Sequence, residues 1–273
     1  MFSRILVGTD GSDSAAKAVA QAVAIAKSLS AELIVLHSFA VVTESGGPLG
    51  PAPGAPTKEI GVSILEDVQK RYGNELPVRT LLKEGGPGDA IVDVAEEEKV
   101  DLIIVGNRGM TGAKRFVLGS VPNNVSHHAP CSVMIIDTTS QRASKRKGGE
   151  IYKKVLVATD GSPTAGRAAE AGVESAAAFG AGVLLLSVGE GAQTEQVLQQ
   201  AAKHLGKFGV KIATKSVMGD VADAIVDAAE QEGADLIVVG NRGMMGSKRF
   251  LLGSVPNHVS HNSPCDVLIV KTT

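Results

Sequence analysis

Residues 4–12 read RILVGTDGS, and residues 154–162 repeat this stretch as KVLVATDGS. In both copies a short apolar run, rich in branched side chains, ends in Thr-Asp-Gly-Ser. Such a run bounded by turn residues predicts a strand that is covered on both faces of a sheet. Ser12 and Ser14 follow at positions that favour the N-cap of a helix. The stretch therefore predicts a buried strand that leads directly into a helix, twice in one chain.

The duplication extends through the rest of the sequence. DLIIVGNRGM at 101–110 returns as DLIVVGNRGM, and the offset between the copies falls from 150 to 134 residues on the way. About sixteen residues are thus missing from the second copy after its second strand, where the first copy carries a Gly/Pro-rich stretch at 41–56. The repeat predicts a domain at 1–140, a basic linker at 141–150 and a second domain at 151–273.

Strands and helices alternate within each copy. In the first copy the apolar runs predict strands at 5–8, 33–36, 78–82, 102–105 and 133–136, and helical periodicity follows Ser12 and recurs at 60–72, 89–98 and near 121–128. This alternation predicts a parallel sheet with helices on both faces. Right-handed crossovers restrict it to a doubly wound order. The expected fold is two tandem Rossmann-like α/β domains.

The composition of the 273 residues argues against a polyanion as partner. The formal net charge is -2, aromatic residues make up 3% and there is no Trp, so both a basic field and stacking platforms are scarce. The basic run at 142–147 is interpreted as a solvated linker, with a nucleic-acid arm as the alternative. No stretch is long and apolar enough for a signal peptide or a membrane span, so a cytoplasmic protein is expected.

The cysteines and histidines do not form a metal-binding pattern. Cys131 and Cys265 occupy equivalent positions before the last strand of each copy and are expected to be small buried side chains. Four histidines cluster near the short fourth helices and are interpreted as helix surface or partly buried rings: His127, His128, His258 and His261. No dedicated metal site is predicted, and Mg²⁺ is expected only together with a bound ligand that supplies oxygen atoms.

Polar residues follow two strands in each copy. Thr9 and Asp10 come after the first strand, and the fourth strand is followed by Gly-x2-Gly-x9-Gly-Ser, which spans residues 106–120. Thr159, Asp160 and residues 240–254 repeat both features. In doubly wound sheets, ligands bind outside the carboxyl ends of the strands where the strand order reverses. The two segments are therefore expected to form one site per copy.

The residue types in these segments suit a phosphate site. Glycines allow close backbone approach, and the amides of Gly119, Ser120 and Val121 would point out of a helix N-terminus, which attracts anions. Ser120 is expected to cap that helix, and Asp10 to accept hydrogen bonds from ribose hydroxyls. Arg108 would screen phosphate charge. The alternative is structural: turn glycines, a helix-capping Ser120, an Asp10 that caps the first helix and a solvated Arg108.

Other catalytic signatures are absent from the sequence. There is no Gly-x4-Gly-Lys-Ser/Thr loop, no Gly-x-Ser-x-Gly elbow and no His-Glu-x2-His pair. No residue is placed to act as general base, so any ATPase activity is expected to be weak.

With these motifs the sequence resembles the universal stress protein family in its tandem form, over nearly the whole chain. The resemblance implies a five-stranded parallel sheet in the order 3-2-1-4-5 and an ATP site in each copy that keeps the motif. It implies that Asp10 and Gly106 hold the ribose. It also implies that four residues hold phosphates: Gly109, Gly119, Ser120 and Val121.

The resemblance assigns matching residues to the second copy. They are Asp160, Gly240, Gly243, Gly253, Ser254 and Val255. The adenine contact falls on Ser38 in the first copy, in place of the family's usual apolar residue, and on Val188 in the second. The neighbouring Thr9, Val105, Arg108, Thr159, Val239 and Arg242 complete the predicted sites.

The last strand of each copy is apolar and would lie at a sheet edge, which invites pairing. We therefore predict an internal pseudo-dimer through the strands at 133–136 and 267–270, as the resemblance also implies, with a further homodimer as an open alternative. The expected function is ATP-dependent conformational or interaction signalling in stress response. The alternatives are a weak ATP hydrolase and a nucleotide-independent scaffold.

Overall fold

The computed structural model describes residues 2–39, 57–108, 118–139, 151–241 and 252–272. Several predicted features lie outside these ranges. They are the stretch at 41–56, the linker at 141–150, Gly109, Arg242 and Gly243.

Ten strands run through the described chain, five from each copy. The first five are β1 Arg4–Gly8, β2 Glu32–Phe39, β3 Val78–Glu84, β4 Leu102–Gly106 and β5 Ser132–Ile136. The second five are β6 Lys154–Ala158, β7 Gly182–Val188, β8 Ile212–Val217, β9 Leu236–Gly240 and β10 Asp266–Val270.

Helices alternate with the strands in both copies, as predicted. The first copy contains α1 Asp13–Leu29, α2 Lys58–Tyr72, α3 Pro87–Glu97 and α4 Ser120–His128. The second contains α5 Pro163–Phe179, α6 Gly191–Leu205, α7 Val221–Glu232 and α8 Ser254–Asn262. A short 3-10 turn at Gly206–Phe208 follows α6.

The strands form one continuous sheet in the order β3-β2-β1-β4-β5-β10-β9-β6-β7-β8. Each copy therefore has the expected order 3-2-1-4-5, and the strands within a copy pair in parallel. The copies meet where β5 and β10 pair antiparallel, with Met134 opposite Leu268. The predicted pairing of the two last strands is confirmed, and it makes the chain an internal pseudo-dimer.

The seam between the copies contains a fully buried carboxylate. Asp266 is 0% exposed. Its Oδ1 accepts a hydrogen bond from the Asp137 amide at 2.9 Å, and its Oδ2 accepts one from the Tyr152 hydroxyl at 2.9 Å. The equivalent bond on the other side joins the Lys271 amide to the Ser132 hydroxyl at 3.1 Å. Polar groups thus fix the register of β5 against β10 at both ends.

Alternation along the strands divides the core between the two faces of the sheet. Ile5 and Val7 of β1 pack with α1 on one face, and Leu6 packs with α3 on the other. The apolar pattern of residues 5–7 is therefore explained by burial on both sides, as expected for a central parallel strand.

The cysteines stand before the last strands, where they were expected. Cys265 is buried, and Cys131 is partly buried. Burial raises the pKa of the Cys131 thiol to about 12. Within the described ranges, no helix has the length and apolar character needed to cross a membrane.

Candidate functional site

A cavity of about 250 Å³ opens at the carboxyl ends of β1, β2 and β4 in the first copy. Nine of the ten residues predicted for this site line it: Thr9, Asp10, Ser38, Val105, Gly106, Arg108, Gly119, Ser120 and Val121. The tenth, Gly109, lies outside the described residues. The strand order reverses beside β1, so the cavity lies where a doubly wound sheet is expected to bind its ligand.

The turn after β1 is built by its own side chains. Gly11 has φ +78, a left-handed conformation that favours glycine. Asp10 Oδ1 accepts a hydrogen bond from the Ser12 amide at 3.0 Å, and Ser12 Oγ caps α1 by accepting one from Ala15 at 3.2 Å. Ser14 is not a cap but lies inside the helix. Asp10 therefore does not cap α1 either, and its carboxylate is held at the edge of the cavity.

His37 supports this turn from below, and the sequence motifs did not identify it. The ring is buried, with 2% exposure, and Nδ1 lies 2.9 Å from the carbonyl oxygen of Thr9. Among the residues that the structure describes, Nε2 has no hydrogen-bond partner. A histidine within the apolar run of β2 was the available signal. The second copy has Ser187 at this position.

The N-terminus of α4 faces the same cavity. The expectation that Ser120 caps this helix is wrong: Gly119 is the N-cap and Ser120 is the first helical residue. Because Gly119 has no side chain, no side-chain capping bond is made there. The first amides of a helix have no acceptor within the helix, and they carry the positive end of its dipole. The end of α4 is thus suited to an anion.

The glycine at this N-cap is not required by the protein's own geometry. Gly119 has φ -62, which any residue adopts, and an added Cβ would meet Asn107 O at 3.4 Å and Pro122 Cδ at 3.5 Å, which are ordinary contacts. Gly253 in the second copy shows the same, with φ -65. Gly106 differs, because a Cβ there would lie 3.2 Å from Arg108 O. Room for a ligand explains the N-cap glycines better than packing does.

The charges around the cavity are separated. The Asp10 carboxylate lies at the end of β1, whereas Arg108 and the N-terminus of α4 lie beyond β4. A guanidinium and helix amides are donors that phosphate oxygens accept, and a carboxylate is an acceptor for hydroxyl groups. The arrangement suits a ligand with hydroxyls at one end and phosphates at the other.

The second copy places its predicted residues at the same strand ends. Asp160 Oδ1 accepts a hydrogen bond from Ser162 at 2.9 Å, as Asp10 does from Ser12. Gly253 is the N-cap of α8, so Ser254 is again the first helical residue rather than the cap. Thr159 directly follows β6, Val188 ends β7, and Val239 and Gly240 end β9. Val255 follows Ser254 in α8.

The described residues contain no group of three or more His, Cys, Asp or Glu side chains that could hold a metal ion. His127 and His128 lie on α4, and His258 and His261 lie on α8. His258 Nε2 is 2.8 Å from Asp223 of α7, where the first copy joins Asn124 to Asp89 at 3.2 Å. These side chains connect neighbouring helices.

Comparison with known proteins assigns the family. The family model described as the universal stress protein family matches residues 1–137, 151–205 and 189–271. Universal stress protein YxiE of Bacillus subtilis is 37% identical over 147 residues, which cover 50% of this chain and 99% of that protein. A universal stress protein of Mycolicibacterium smegmatis is 26% identical over 292 residues, covering 98% of this chain and 96% of its own.

One solved structure that matches along almost the whole chain has the same fold. A universal stress protein from Archaeoglobus fulgidus DSM 4304 superposes with a TM-score of 0.72 at 21% identity, covering 99% of this chain and 98% of that one. A universal stress protein solved in complex with cAMP is 37% identical and covers 45% of this chain, with a TM-score of 0.41 and 98% of its own length matched. The matches to the family cover both repeats. The chain therefore belongs to the universal stress protein family.

Proposed function

We propose that each repeat binds ATP and that nucleotide occupancy serves as a conformational or interaction signal in stress response. One observation carries the proposal: nine residues chosen from sequence motifs at four separate strand and helix ends line a single cavity in the first repeat. We propose the same division of the chain as the sequence predicts, with nucleotide-binding domains at 1–140 and 151–273 joined by the linker at 141–150.

The chemistry of the cavity supports a nucleoside triphosphate. Asp10 would accept hydrogen bonds from ribose hydroxyls, because it follows the central strand at the point where the strand order reverses. The amides at the start of α4, together with Arg108, would bind phosphate oxygens. Ser38 of β2 stands at the base end. Mg²⁺ would be brought by the triphosphate, since oxygen ligands from phosphates and water satisfy it.

Two measurements test the proposal. The purified full chain is denatured and the released small molecules are identified by mass spectrometry. The nucleotide-free chain is then titrated by calorimetry with ATP, with GTP and with cAMP, the last because one relative was solved with it. We expect two ATP sites per chain. If ATP gives no heat of binding and no nucleotide is released, the nucleotide-independent scaffold is favoured. If cAMP binds more tightly than ATP, cAMP is the ligand of these sites instead.

A further inference from the structure

An asparagine directly after β4 binds the backbone that follows β5. Asn107 Oδ1 accepts hydrogen bonds from the Thr138 amide at 3.2 Å and from its hydroxyl at 2.8 Å. The second repeat reproduces this arrangement, with Asn241 Oδ1 accepting from the Thr272 amide at 3.0 Å and its hydroxyl at 2.7 Å. The same pair of hydrogen bonds, from a threonine amide and its hydroxyl to an asparagine oxygen, thus occurs at both candidate sites.

The main chain of the same asparagine holds the phosphate-facing helix. The Asn107 amide donates to Ile136 O at 2.8 Å, and the Asn107 carbonyl accepts from the amide of Gly119, the N-cap of α4, at 3.0 Å. In the second repeat the Asn241 amide donates to Val270 O at 2.9 Å, and the Asn241 carbonyl accepts from the Gly253 amide at 3.0 Å. One residue therefore joins the ends of two strands to the start of the helix.

We propose that Asn107 and Asn241 are positioning residues for the phosphates of the bound nucleotide. The inference rests on the proposed function, because it concerns the same sites. The side chain fixes the peptide whose carbonyl orients the N-cap glycine, and that glycine sets the direction of the first amides of the helix. Preorganised donors are worth most when they need no rearrangement on binding. The asparagine acts through the helix and contacts no phosphate itself.

The residue directly after the last strand differs between the repeats. Asn107 Nδ2 donates to Asp137 Oδ1 at 3.1 Å. The second repeat has Lys271 at the position of Asp137, and its ammonium donates instead to Ala129 O at 3.0 Å. The Asn107 side chain is therefore held at both ends of its amide, by Thr138 at the oxygen and by Asp137 at the nitrogen.

The test replaces Asn107 by Leu, which has similar volume but no acceptor, with Asn241→Leu as the matched change. Thr138→Val is a milder variant that removes only the hydroxyl partner. Each variant is made in the full chain, and labelled ATP is displaced by unlabelled ATP and by adenosine. We expect Asn107→Leu to weaken ATP at the first site about tenfold and to change adenosine affinity less than about twofold, because adenosine has no phosphates. Thr138→Val should show the same pattern with a smaller loss.

Hydrogen exchange of the nucleotide-free protein gives a readout that needs no ligand. In Asn107→Leu, peptides covering 118–121 should exchange faster, whereas peptides from β1 and from the start of α8 should not change. Unchanged exchange and unchanged ATP affinity in both first-repeat variants would overturn the proposal. An equal loss of ATP and adenosine affinity would also overturn it, since that indicates a general structural role. Absence of ATP binding in the unmodified chain with faster exchange in the variant would refute only the proposed function.

Discussion

The two candidate sites agree at one end and differ at the other. Both have an aspartate after the central strand, bonded to a serine two residues on, and both have a glycine N-cap on the facing helix. At the base end Ser38 of the first site corresponds to Val188 of the second. The shared end is suited to ribose and phosphate, and the variable end to the base.

The surroundings of the turn after the first strand, and the start of the third helix, also differ between the repeats. The first repeat has the buried His37 under the Thr9 carbonyl, whereas the second has Ser187. In the first repeat α3 starts at Pro87, and its N-cap Gly86 makes no side-chain capping bond. In the second repeat α7 starts at Val221, and the side chain of Asp220 caps it. The glycine N-caps of α4 and α8 are present in both repeats despite these changes.

The second repeat exposes more apolar surface beside the base end. Met218 is 67% exposed and Val221 is 44% exposed, where the first repeat has Glu84 and Pro87. Met218 directly follows β8, and Val221 is the first residue of α7. Both lie on the carboxyl side of the sheet. The repeats therefore keep the polar contacts of the shared end and vary the surroundings of the other end, so the two sites should differ in base contact more than in phosphate contact.

The largest expected effect comes from the N-cap glycines. Gly119→Glu should abolish ATP binding at the first site and Gly253→Glu at the second, because a carboxylate next to phosphates costs several kcal/mol, about a hundredfold in affinity or more. Calorimetry should count one remaining site in each variant. Two intact sites in both variants would show that the N-cap glycines do not face bound phosphates.

A smaller effect is expected at the ribose. Asp10→Asn should weaken ATP binding about tenfold at the first site, since hydrogen bonds to a charged acceptor exceed those to a neutral one by about 1.4 kcal/mol. Asp160→Asn should do the same at the second site. The control ligand is ATP that lacks the 2′ and 3′ hydroxyls, whose affinity should be nearly insensitive to either change. If the affinity for that ligand falls as much as the affinity for ATP, the carboxylates do not hold the ribose.

The repeats also differ at the seam, where Tyr152 of the second corresponds to Phe2 of the first. Tyr152→Phe removes the hydroxyl that donates to the buried Asp266. We expect the free energy of unfolding to fall by about 1–2 kcal/mol, because the buried carboxylate loses a donor. Urea unfolding measures this change. Phe2→Ala, which removes packing alone, separates the loss of the hydrogen bond from the loss of ring contacts.

The smallest effect is expected from exchanging the residues at the base end. Ser38→Val should tighten the first site and Val188→Ser should weaken the second, each by about threefold to fivefold, because burial of about 30–40 Å² of apolar surface is worth about 1 kcal/mol. Titration of each variant against the unmodified chain reports the direction. Shifts of the same sign in both variants would show that these side chains do not contact the base.

Most of the fold and of the first candidate site could be predicted from the sequence, because both are encoded in short local patterns. Apolar runs such as residues 5–7 predicted the strands, and the duplicated motif predicted the residues around the cavity. The role of Ser120 was misjudged because capping depends on where the helix begins, and Gly119 took that place. Element ends are the least certain part of such predictions.

Other features depend on tertiary contacts between distant positions. Asn107 is an ordinary residue of the glycine motif until Thr138 is placed beside it. Asp266 and Tyr152 are 114 positions apart and meet only when β10 lies near the start of the second repeat. No periodicity encodes such pairs, so the sequence predicted the pairing of the last strands but not the polar contacts of the seam or those of the asparagines.

The antiparallel pairing of β5 with β10 joins two repeats of one polypeptide. Their association is therefore unimolecular, and it is governed by the effective concentration that the tether imposes, which is of the order of millimolar for short linkers. Dilution that would separate two independent subunits leaves this pair together. Each chain thus carries both of its candidate sites as a fixed couple, whatever the abundance of the protein.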